Sequence, residues 1–260
     1  MKIVFHPLMR ESYDNTPAGA PGRLDSAINV FRNHRGYQLT TPEPASENDI
    51  LQAHSLPVLN RVKGEDDASH SGQPYKMAAL AAGGAILTAD IAVKGQPAFG
   101  LIRPPGHHAS RNSYWGFCYF NNIAIAVLHL LSHGLISSAF ILDFDLHFGD
   151  GTVNILGGDR RVIIHNPEGH GDDNYLSDVK LALDNSPDVD IIAASAGFDE
   201  YEHCWGHNLS TDAFRRIGRL VFEFAQQRCG GRRFGLLEGG YNHEDLGRNI
   251  LAFCEGMQGK

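Results

Sequence analysis

The sequence predicts an α/β fold: a single domain over residues 1–260, in which a mostly parallel sheet lies between two layers of helices. Short apolar runs alternate with longer helical stretches, and this pattern is typical of a parallel sheet covered on both faces. Four of the apolar runs also end in Gly-rich, ionisable sequence. With 260 residues, of which 42% are hydrophobic and 20% charged, the chain can bury one large core.

Six apolar runs are predicted as strands: residues 3–5, 98–102, 139–142, 162–164, 191–195 and 234–237. Four stretches between them are predicted as helices: residues 75–93, 121–132, 210–228 and 244–257. Their boundaries carry capping signals, since Ser210 opens one helical stretch and Gly134 follows the end of another. Residues 62–74 and 166–188 are irregular in pattern and are predicted to form surface loops.

Composition and charge argue against some classes of function. A net charge of −8 argues against a nucleic-acid-binding surface and is compatible with cationic substrates. The four cysteines form no C-x-x-C pair, which is typical of reduced thiols in a cytoplasmic protein. The apolar stretch in residues 1–7 is too short for a signal peptide, and no run is expected to reach the length of a membrane span. An oligomer is compatible with the sequence, which does not specify one.

The segment from Ile141 to Gly151 carries the most informative pattern. Asp143, Asp145 and His147 follow an apolar run at a spacing of two, so they point the same way if the strand continues. Two carboxylates and an imidazole are costly to bury unpaired, and their donor atoms suit zinc or another divalent first-row metal. A solvated strand-to-loop junction is the alternative interpretation.

Three other apolar runs end in chemically similar clusters. Two adjacent histidines, His107 and His108, follow a Pro-Gly turn and suit proton transfer near neutral pH. Another run ends in Asp199, and a fourth ends in two glycines and Tyr241. Because ligands bind outside the carboxyl ends of the strands in open α/β sheets, the four clusters together predict one active site at that edge.

These clusters resemble the motif series of the zinc-dependent histone deacetylase superfamily, which includes class II-like deacetylases, acetylpolyamine amidohydrolases and acetoin-utilisation proteins. The matching motifs are Arg103-Pro-Pro-Gly-His-His-Ala109, Gly116-Phe-Cys-Tyr-Phe-Asn-Asn122, Asp143-Phe-Asp-Leu-His147, Ser195-Ala-Gly-Phe-Asp199 and Leu237-Glu-Gly-Gly-Tyr-Asn242. Their order is that of the superfamily, and the resemblance covers nearly the whole chain. It implies an arginase/deacetylase-like fold and a zinc-dependent amidohydrolase. Such an enzyme removes acetyl or another small acyl group from an acyl-lysine, an acylpolyamine or a small metabolite.

The resemblance also implies a role for individual residues. Three match the metal ligands: Asp145, His147 and Asp199. Five match catalytic positions: His107, His108, Asp143, Asp150 and Tyr241. Four are expected to contact the substrate: Gly116, Phe117, Trp205 and Gly240.

In this scheme His108 is the general base and later protonates the leaving amine, while Asp150 orients it. His107 tunes the electrostatics beside Asp143, and Tyr241 donates its hydroxyl to the developing oxyanion. The metal is expected to be zinc, with Fe²⁺ or another divalent metal as the alternative.

The sequence departs from the superfamily pattern in several places. Phe148 replaces a second histidine after the metal-ligand histidine. Residues 166–174 replace a Gly-rich loop that forms one wall of the substrate tunnel, which predicts a shallower or more open tunnel. Trp205 is expected at the tunnel rim, with ordinary hydrophobic packing as the alternative. A structural K⁺ ion is implied near His165 and Asn166.

Two other functions are compatible with the sequence. An arginase-type ureohydrolase has the same fold but needs further ligands for a second manganese ion. A non-catalytic acyl-group-binding protein would be favoured if a catalytic residue or metal ligand were missing, and all of them are present. The expected partner is therefore an acylated amine, with no nucleic acid and no membrane.

Overall fold

A computed structural model of the chain describes residues 1–68 and 73–260. Within them, seven strands form one sheet: β1 (Lys2–Val4), β2 (Gln38–Thr40), β3 (Ala98–Gly100), β4 (Ala139–Asp143), β5 (Val162–His165), β6 (Ile191–Ala196) and β7 (Arg233–Leu237). They lie in the order β2-β1-β3-β7-β6-β4-β5, and all neighbouring strands are parallel. The predicted α/β fold is confirmed.

Nine α-helices lie in the described residues: α1 (Asp25–Asn33), α2 (Glu47–Ala53), α3 (Leu56–Ala68), α4 (Pro74–Val93), α5 (Asn122–Ser132), α6 (Asp150–Leu156), α7 (Asp172–Asp184), α8 (Thr211–Arg228) and α9 (Leu246–Gly256). They flank the sheet in two groups, one formed by α1, α7, α8 and α9 and the other by α2 to α6. The four predicted helices are α4, α5, α8 and α9. Their capping signals also hold, since Ser210 Oγ accepts the amide of Ala213 at 3.1 Å and Gly134 has a φ of +65°.

Two segments predicted as loops are largely helical. Helix α3 extends to Ala68, and residues 69–72 lie outside the described residues. In the second segment, α7 buries Tyr175, Val179 and Leu183 along one face, and acidic residues in its first turn suit a helix N-terminus. Its many charged residues hide this narrow apolar face in the sequence.

The strands that position the candidate site are the most deeply buried. Every residue of β4, β6 and β7 is buried, as expected for strands covered by helices on both faces. Their continuous apolar runs made them recognisable in the sequence. Strand β2 was not predicted, because it is only three residues long and has no buried residue.

Helix α4 has the length and apolar composition of a membrane span, with 20 residues and a mean hydropathy of 1.5. The prediction that no run would reach this length was therefore wrong. In the described structure 67% of its apolar window is buried, and it packs against β3, β7 and α5. Its apolar character is that of a helix in a protein core.

The four cysteines, Cys118, Cys204, Cys229 and Cys254, are buried and free. Burial raises the pKa of the Cys118 thiol well above its ordinary value, so it is not a reactive thiolate. This arrangement is compatible with reduced thiols. A cytoplasmic location and a single catalytic domain stay predictions.

Candidate active site

Four neighbouring strands, β3, β7, β6 and β4, end at one edge of the sheet. The two histidines follow β3, Tyr241 follows β7, Asp199 follows β6 and Asp145 follows β4. A cavity of about 140 Å³ lies at this edge. Its wall is formed by Pro105, His107, His108, Trp115, Gly116, Phe117, Asp145, His147, Trp205, Gly239 and Tyr241. The four sequence clusters therefore converge on one site.

Beside this cavity, Asp145, His147 and Asp199 bring together the donor atoms of a metal site. His147 Nδ1 lies 3.2 Å from Asp145 Oδ1 and 3.4 Å from Asp199 Oδ2. Asp199 Oδ2 is buried and has no hydrogen-bond partner among the described residues. An unpaired buried carboxylate oxygen that faces an imidazole and a second carboxylate fits a divalent metal. Within the described residues this is the one cluster of three such side chains, with donor atoms within 4.8 Å of one another.

The backbone around the two carboxylates holds them in place. The amide of Gly239 donates to Asp145 Oδ2 at 2.8 Å, and the amide of Leu146 donates to Asp199 Oδ1 at 3.2 Å. A methyl group at Gly239 would overlap both carboxylates, so only glycine fits there. Burial and the charge of Asp145 raise the pKa of Asp199 to about 6, a repulsion that a bound cation relieves.

Strand alternation does not produce this convergence. Strand β4 ends at Asp143, and residues 145–147 form a bend. Asp143 Oδ1 accepts the amide of Asp145 at 3.3 Å, and Asp145 Oδ1 accepts the amide of His147 at 3.0 Å. These local bonds from side chain to backbone compete with the strand ladder, so the strand, predicted over residues 139–142, ends at Asp143 and does not continue to His147.

Each histidine of the adjacent pair is held by its own carboxylate. His107 Nδ1 lies 3.2 Å from Asp143 Oδ2, and His108 Nδ1 lies 2.6 Å from Asp150 Oδ1. Both imidazoles are buried, with ring centroids 4.0 Å apart. Because an ionised carboxylate only accepts hydrogen bonds, Nδ1 carries the proton in both rings. This leaves Nε2 of His108 as the nitrogen that can act as a base.

The two histidines have pKa values shifted in opposite directions. Burial and the positive charge of His107 lower the pKa of His108 to about 4, against the opposing influence of Asp150. Burial also disfavours a charged His107, but the carboxylates of Asp145 and Asp143 outweigh it and raise that pKa well above its ordinary value. At neutral pH one imidazole can accept a proton beside a charged neighbour, as acid–base chemistry requires.

Aromatic rings form much of the remaining wall. Trp205 stacks on Tyr241 with centroids 4.1 Å apart, and Phe117 packs edge-on against both at 6.5 and 6.1 Å. Phe117 has a left-handed backbone with a φ of +66°, which is uncommon for a bulky residue and concentrates at functional sites. It follows Gly116, where a methyl group would overlap the ring of His108.

A buried arginine for which the sequence predicted no role holds the turn after β7. Arg23 donates to the carbonyl of Glu238 at 2.5 Å and to that of Gly240 at 2.9 Å. Its guanidinium lies 5.1 Å from the centroid of the Tyr241 ring. Gly240, predicted to contact the substrate, is buried behind the wall, and Gly239 lines the cavity in its place.

Two further residues next to the histidines were missed. Glu238 Oε2 accepts the amides of Gly106 and His107 at 2.6 and 3.1 Å. Trp115 stacks on His108, and its Nε1 donates to Asp150. Glu238 lies within a recognised motif, which could have pointed to it, but nothing in the local sequence signals the contacts of Trp115.

Residues 165–174, at the end of β5 and just after it, contribute nothing to the cavity wall. His165 Nε2 lies 2.8 Å from Asp178 Oδ2, and Asn166 Oδ1 accepts the amide of Gly149 at 2.9 Å. Both side chains are therefore bonded to protein groups, and the K⁺ site stays a prediction. None of residues 166–174 lines the cavity, whose aromatic side is formed by Trp115, Phe117, Trp205 and Tyr241.

A family model described as the histone deacetylase domain matches residues 18–175 and 162–257. The chain belongs to the histone deacetylase family. The sequence of this deacetylase is 32% identical to a probable deacetylase of Methanothermobacter thermautotrophicus, over 84% of the chain and 78% of that protein. It is 28% identical to a histone deacetylase-like amidohydrolase of Pseudomonas aeruginosa, over 91% and 75%. It is 27% identical to the polyamine deacetylase HDAC10 of Danio rerio, over 92% and 44%.

The fold of the deacetylase is also that of a solved relative. The crystal structure of the HDA15 HD domain matches with a TM-score of 0.84 at 21% identity, over all of this chain and 91% of that one. The deacetylase is thus a hydrolase of the amidohydrolase type, and the family implies a divalent metal. These matches do not favour the ureohydrolase or the non-catalytic alternative.

Proposed function

We propose that this deacetylase is a zinc-dependent amidohydrolase that removes an acetyl or another small acyl group from an amine. One observation carries the proposal: a three-donor metal cluster, two histidine–carboxylate pairs and a tyrosine converge on one small cavity. Amide hydrolysis by metal-activated water uses a Lewis acid, a base that can later act as an acid, and a donor for the developing oxyanion.

Asp145, His147 and Asp199 would hold the metal and leave a coordination position open for chemistry. When bound, zinc supplies polarisation of an amide carbonyl and activation of water. Two carboxylates and one imidazole are donors that zinc accepts, and Fe²⁺ accepts a similar set.

His108 takes a proton from the attacking water at Nε2 while the water oxygen forms a bond to the carbonyl carbon. The π electrons of the carbonyl move onto its oxygen, to which Tyr241 donates a hydrogen bond. The electrons then return, the C–N bond breaks, and the amine nitrogen takes the proton from His108. One amide and one water thus yield one carboxylic acid and one amine.

The carboxylates beside the histidines would orient and polarise them during these steps. Asp150 fixes the Nδ1–H tautomer of His108, so that Nε2 stays available for the proton. His107, paired with Asp143, stays charged and stabilises negative charge in the site. Neither His107 nor Asp143 needs to transfer a proton itself.

The size of the cavity favours a short acyl group. Its volume of about 140 Å³ lies well below the roughly 300–1,000 Å³ of pockets for drug-sized ligands. Phe117, Trp205 and Tyr241 enclose it with flat rings. We propose an acyl-lysine, an acylpolyamine or a small acylated metabolite as the amine. The name of the Danio rerio relative supports the polyamine class.

Turnover of a substrate panel, with metal analysis of the same sample, tests the proposal. The panel contains acetyl-, trifluoroacetyl- and longer acyl-lysine peptides beside acetylated polyamines. We expect cleavage of the short acyl groups, loss of activity with a chelator and recovery with zinc. A zinc-loaded protein that is inert to the whole panel would contradict the proposal.

The variant His108→Ala tests the base separately from the metal. It removes the proposed base, so turnover should fall by about two orders of magnitude or more, while zinc content stays that of the wild type. Near-full activity in this variant would remove His108 from the mechanism.

A further inference from the structure

Trp115 contacts both members of the His108–Asp150 pair. Its indole ring stacks on the His108 imidazole, with centroids 4.0 Å apart and planes 30° apart. Its Nε1–H donates to Asp150 Oδ2 at 2.9 Å, while the other oxygen of that carboxylate lies 2.6 Å from His108 Nδ1. The three side chains therefore form a closed ring of contacts, in which both oxygens of Asp150 are engaged.

This ring lies at the exposed end of the site. The Asp150 side chain is 43% exposed, and Trp115 is 55% exposed. A carboxylate in such a place exchanges its protein partners for water and rotates about its last torsion, which is broad for aspartate. The indole N–H donates a directional hydrogen bond to Asp150 Oδ2, and the indole ring covers one face of the His108 imidazole. Both contacts reduce the orientations open to the pair.

The backbone at Trp115 belongs to a tight turn. The carbonyl of Trp115 accepts the amide of Cys118 at 3.0 Å, and the intervening Gly116 and Phe117 both have left-handed φ angles. The side chain thus starts from a constrained turn, although just over half of the residue is exposed. Trp115 and Trp205 are both exposed and line the cavity, whereas Leu56, Leu135 and Leu181 are similarly exposed apolar side chains that are not part of its wall.

We propose that Trp115 is a positioning residue that holds the His108 imidazole and the Asp150 carboxylate in the geometry needed for proton transfer. This inference rests on the proposed function, because it assigns to Trp115 an effect on the base of that reaction. The competing role is that of a passive wall, since the indole also lines the cavity. A passive wall contributes to substrate binding, whereas a positioning residue contributes to the chemical step.

Two substitutions separate the contacts of Trp115. Trp115→Phe keeps an aromatic ring for the stack and removes the N–H donor, whereas Trp115→Ala removes both. We expect kcat to fall about fivefold in the first and about 50-fold in the second, with KM changed by less than about threefold. Zinc content should not change. A rise in KM with an unchanged kcat would overturn the inference.

A double-mutant cycle with Asp150→Asn asks whether Trp115 acts through the carboxylate. If it does, Trp115→Phe should lower kcat by less than about twofold in the Asp150→Asn background, because the bond it breaks is already altered. Trp205→Phe is the matched control, since Trp205 lines the same cavity but stacks on Tyr241 instead. Trp205→Phe should lower kcat by the same factor with and without Asp150→Asn. If Trp115→Phe lowered kcat by the same factor in the Asp150→Asn background as in the wild type, as expected for Trp205→Phe, the proposal would be contradicted.

A readout without turnover separates this inference from the proposed function. The chain has two tryptophans, so a ¹H–¹⁵N spectrum contains two indole signals, which Trp115→Phe assigns. We expect the Trp115 signal to lie downfield, as for a donor to a carboxylate, and to move upfield in Asp150→Asn while the Trp205 signal stays. If the panel shows no turnover but the signal behaves in this way, the proposed function fails and Trp115 still holds the pair. A Trp115 signal insensitive to Asp150→Asn overturns the inference whatever the activity.

Discussion

Glu238 Oε2 lies 2.6 Å from the backbone nitrogen of Gly106, which joins the end of β7 to the loop after β3 across 132 positions of sequence. The same oxygen accepts the amide of His107 at 3.1 Å. Glu238 is fully buried, and burial raises its pKa to about 7. One side chain therefore fixes the backbone of the loop that carries the histidine pair.

We expect Glu238→Ala to destabilise the protein by about 2–3 kcal/mol, because two buried amides lose their acceptor. Glu238→Gln keeps a carbonyl oxygen at this place and should cost about 1 kcal/mol. Urea unfolding of the two variants and the wild type measures both values. An alanine variant as stable as the wild type would show that the loop does not depend on this carboxylate.

The metal-ligand assignment predicts that Asp199→Ala binds no zinc. Removing the carboxylate leaves one carboxylate and one imidazole, which are too few ligands for a catalytic zinc site. Asp184→Ala is the matched control, because Asp184 is an exposed carboxylate on α7 that pairs with Lys180. Metal analysis after dialysis should find zinc in the control and none in Asp199→Ala. A normal zinc content in both variants would refute the assignment.

Much of the sheet was predictable because burial leaves a direct mark on sequence. Strands β4, β6 and β7 are buried along their whole length, so they consist of short apolar runs bounded by glycine or charged residues. Strand β2 and helix α7 leave no such mark. The first has no buried residue, and the second buries a narrow face among many charges. An apolar sequence pattern reveals an element when much of that element is buried. It does not reveal an element that buries few residues.

The same limit applies to the site. The sequence motifs correctly grouped Asp145, His107 and Tyr241 in one predicted site. Each of them follows a strand, and the carboxyl ends of these strands lie at the same edge of the sheet. No local pattern signals the contact of Trp115 with His108. Glu238 lies within a recognised motif, but its bond to Gly106 spans 132 positions of sequence. Residues that position a site through long-range contacts need the folded chain to be recognised.

The proposed oxyanion donor predicts that Tyr241→Phe lowers kcat by about two orders of magnitude, the usual effect of removing one such donor. The phenylalanine ring can keep the stack on Trp205, so KM and zinc content should change little. Tyr37→Phe is a matched control, since the Tyr37 hydroxyl accepts a bond from Gln258 far from the cavity. Steady-state kinetics of both variants tests this prediction. A Tyr241→Phe enzyme within about twofold of the wild type would leave the oxyanion to another donor.

His54 is buried as a neutral imidazole between Ser110 and Asn121. Its Nε2 accepts the amide of Asn121 at 2.8 Å, so Nδ1 carries the proton and donates to the carbonyl of Ser110 at 3.0 Å. Burial lowers the pKa of His54 to about 4, with a smaller contribution from Arg111 in the same direction. The bond to Ser110 opposes this shift but does not outweigh burial.

This buried imidazole predicts a loss of stability in acid. Between pH 6.5 and about 4 the unfolded chain binds a proton at His54 that the folded chain does not, so the free energy of unfolding falls as the pH is lowered through this window. A shift of this size corresponds to about 3 kcal/mol for one site. His54→Gln cannot titrate, and we expect it to be less stable than the wild type at pH 7, with the difference shrinking by that amount at pH 4. Urea unfolding across this range measures it, because the titrations common to both proteins cancel in the difference. A difference that stays constant with pH would mean that His54 titrates alike in the folded and unfolded chains.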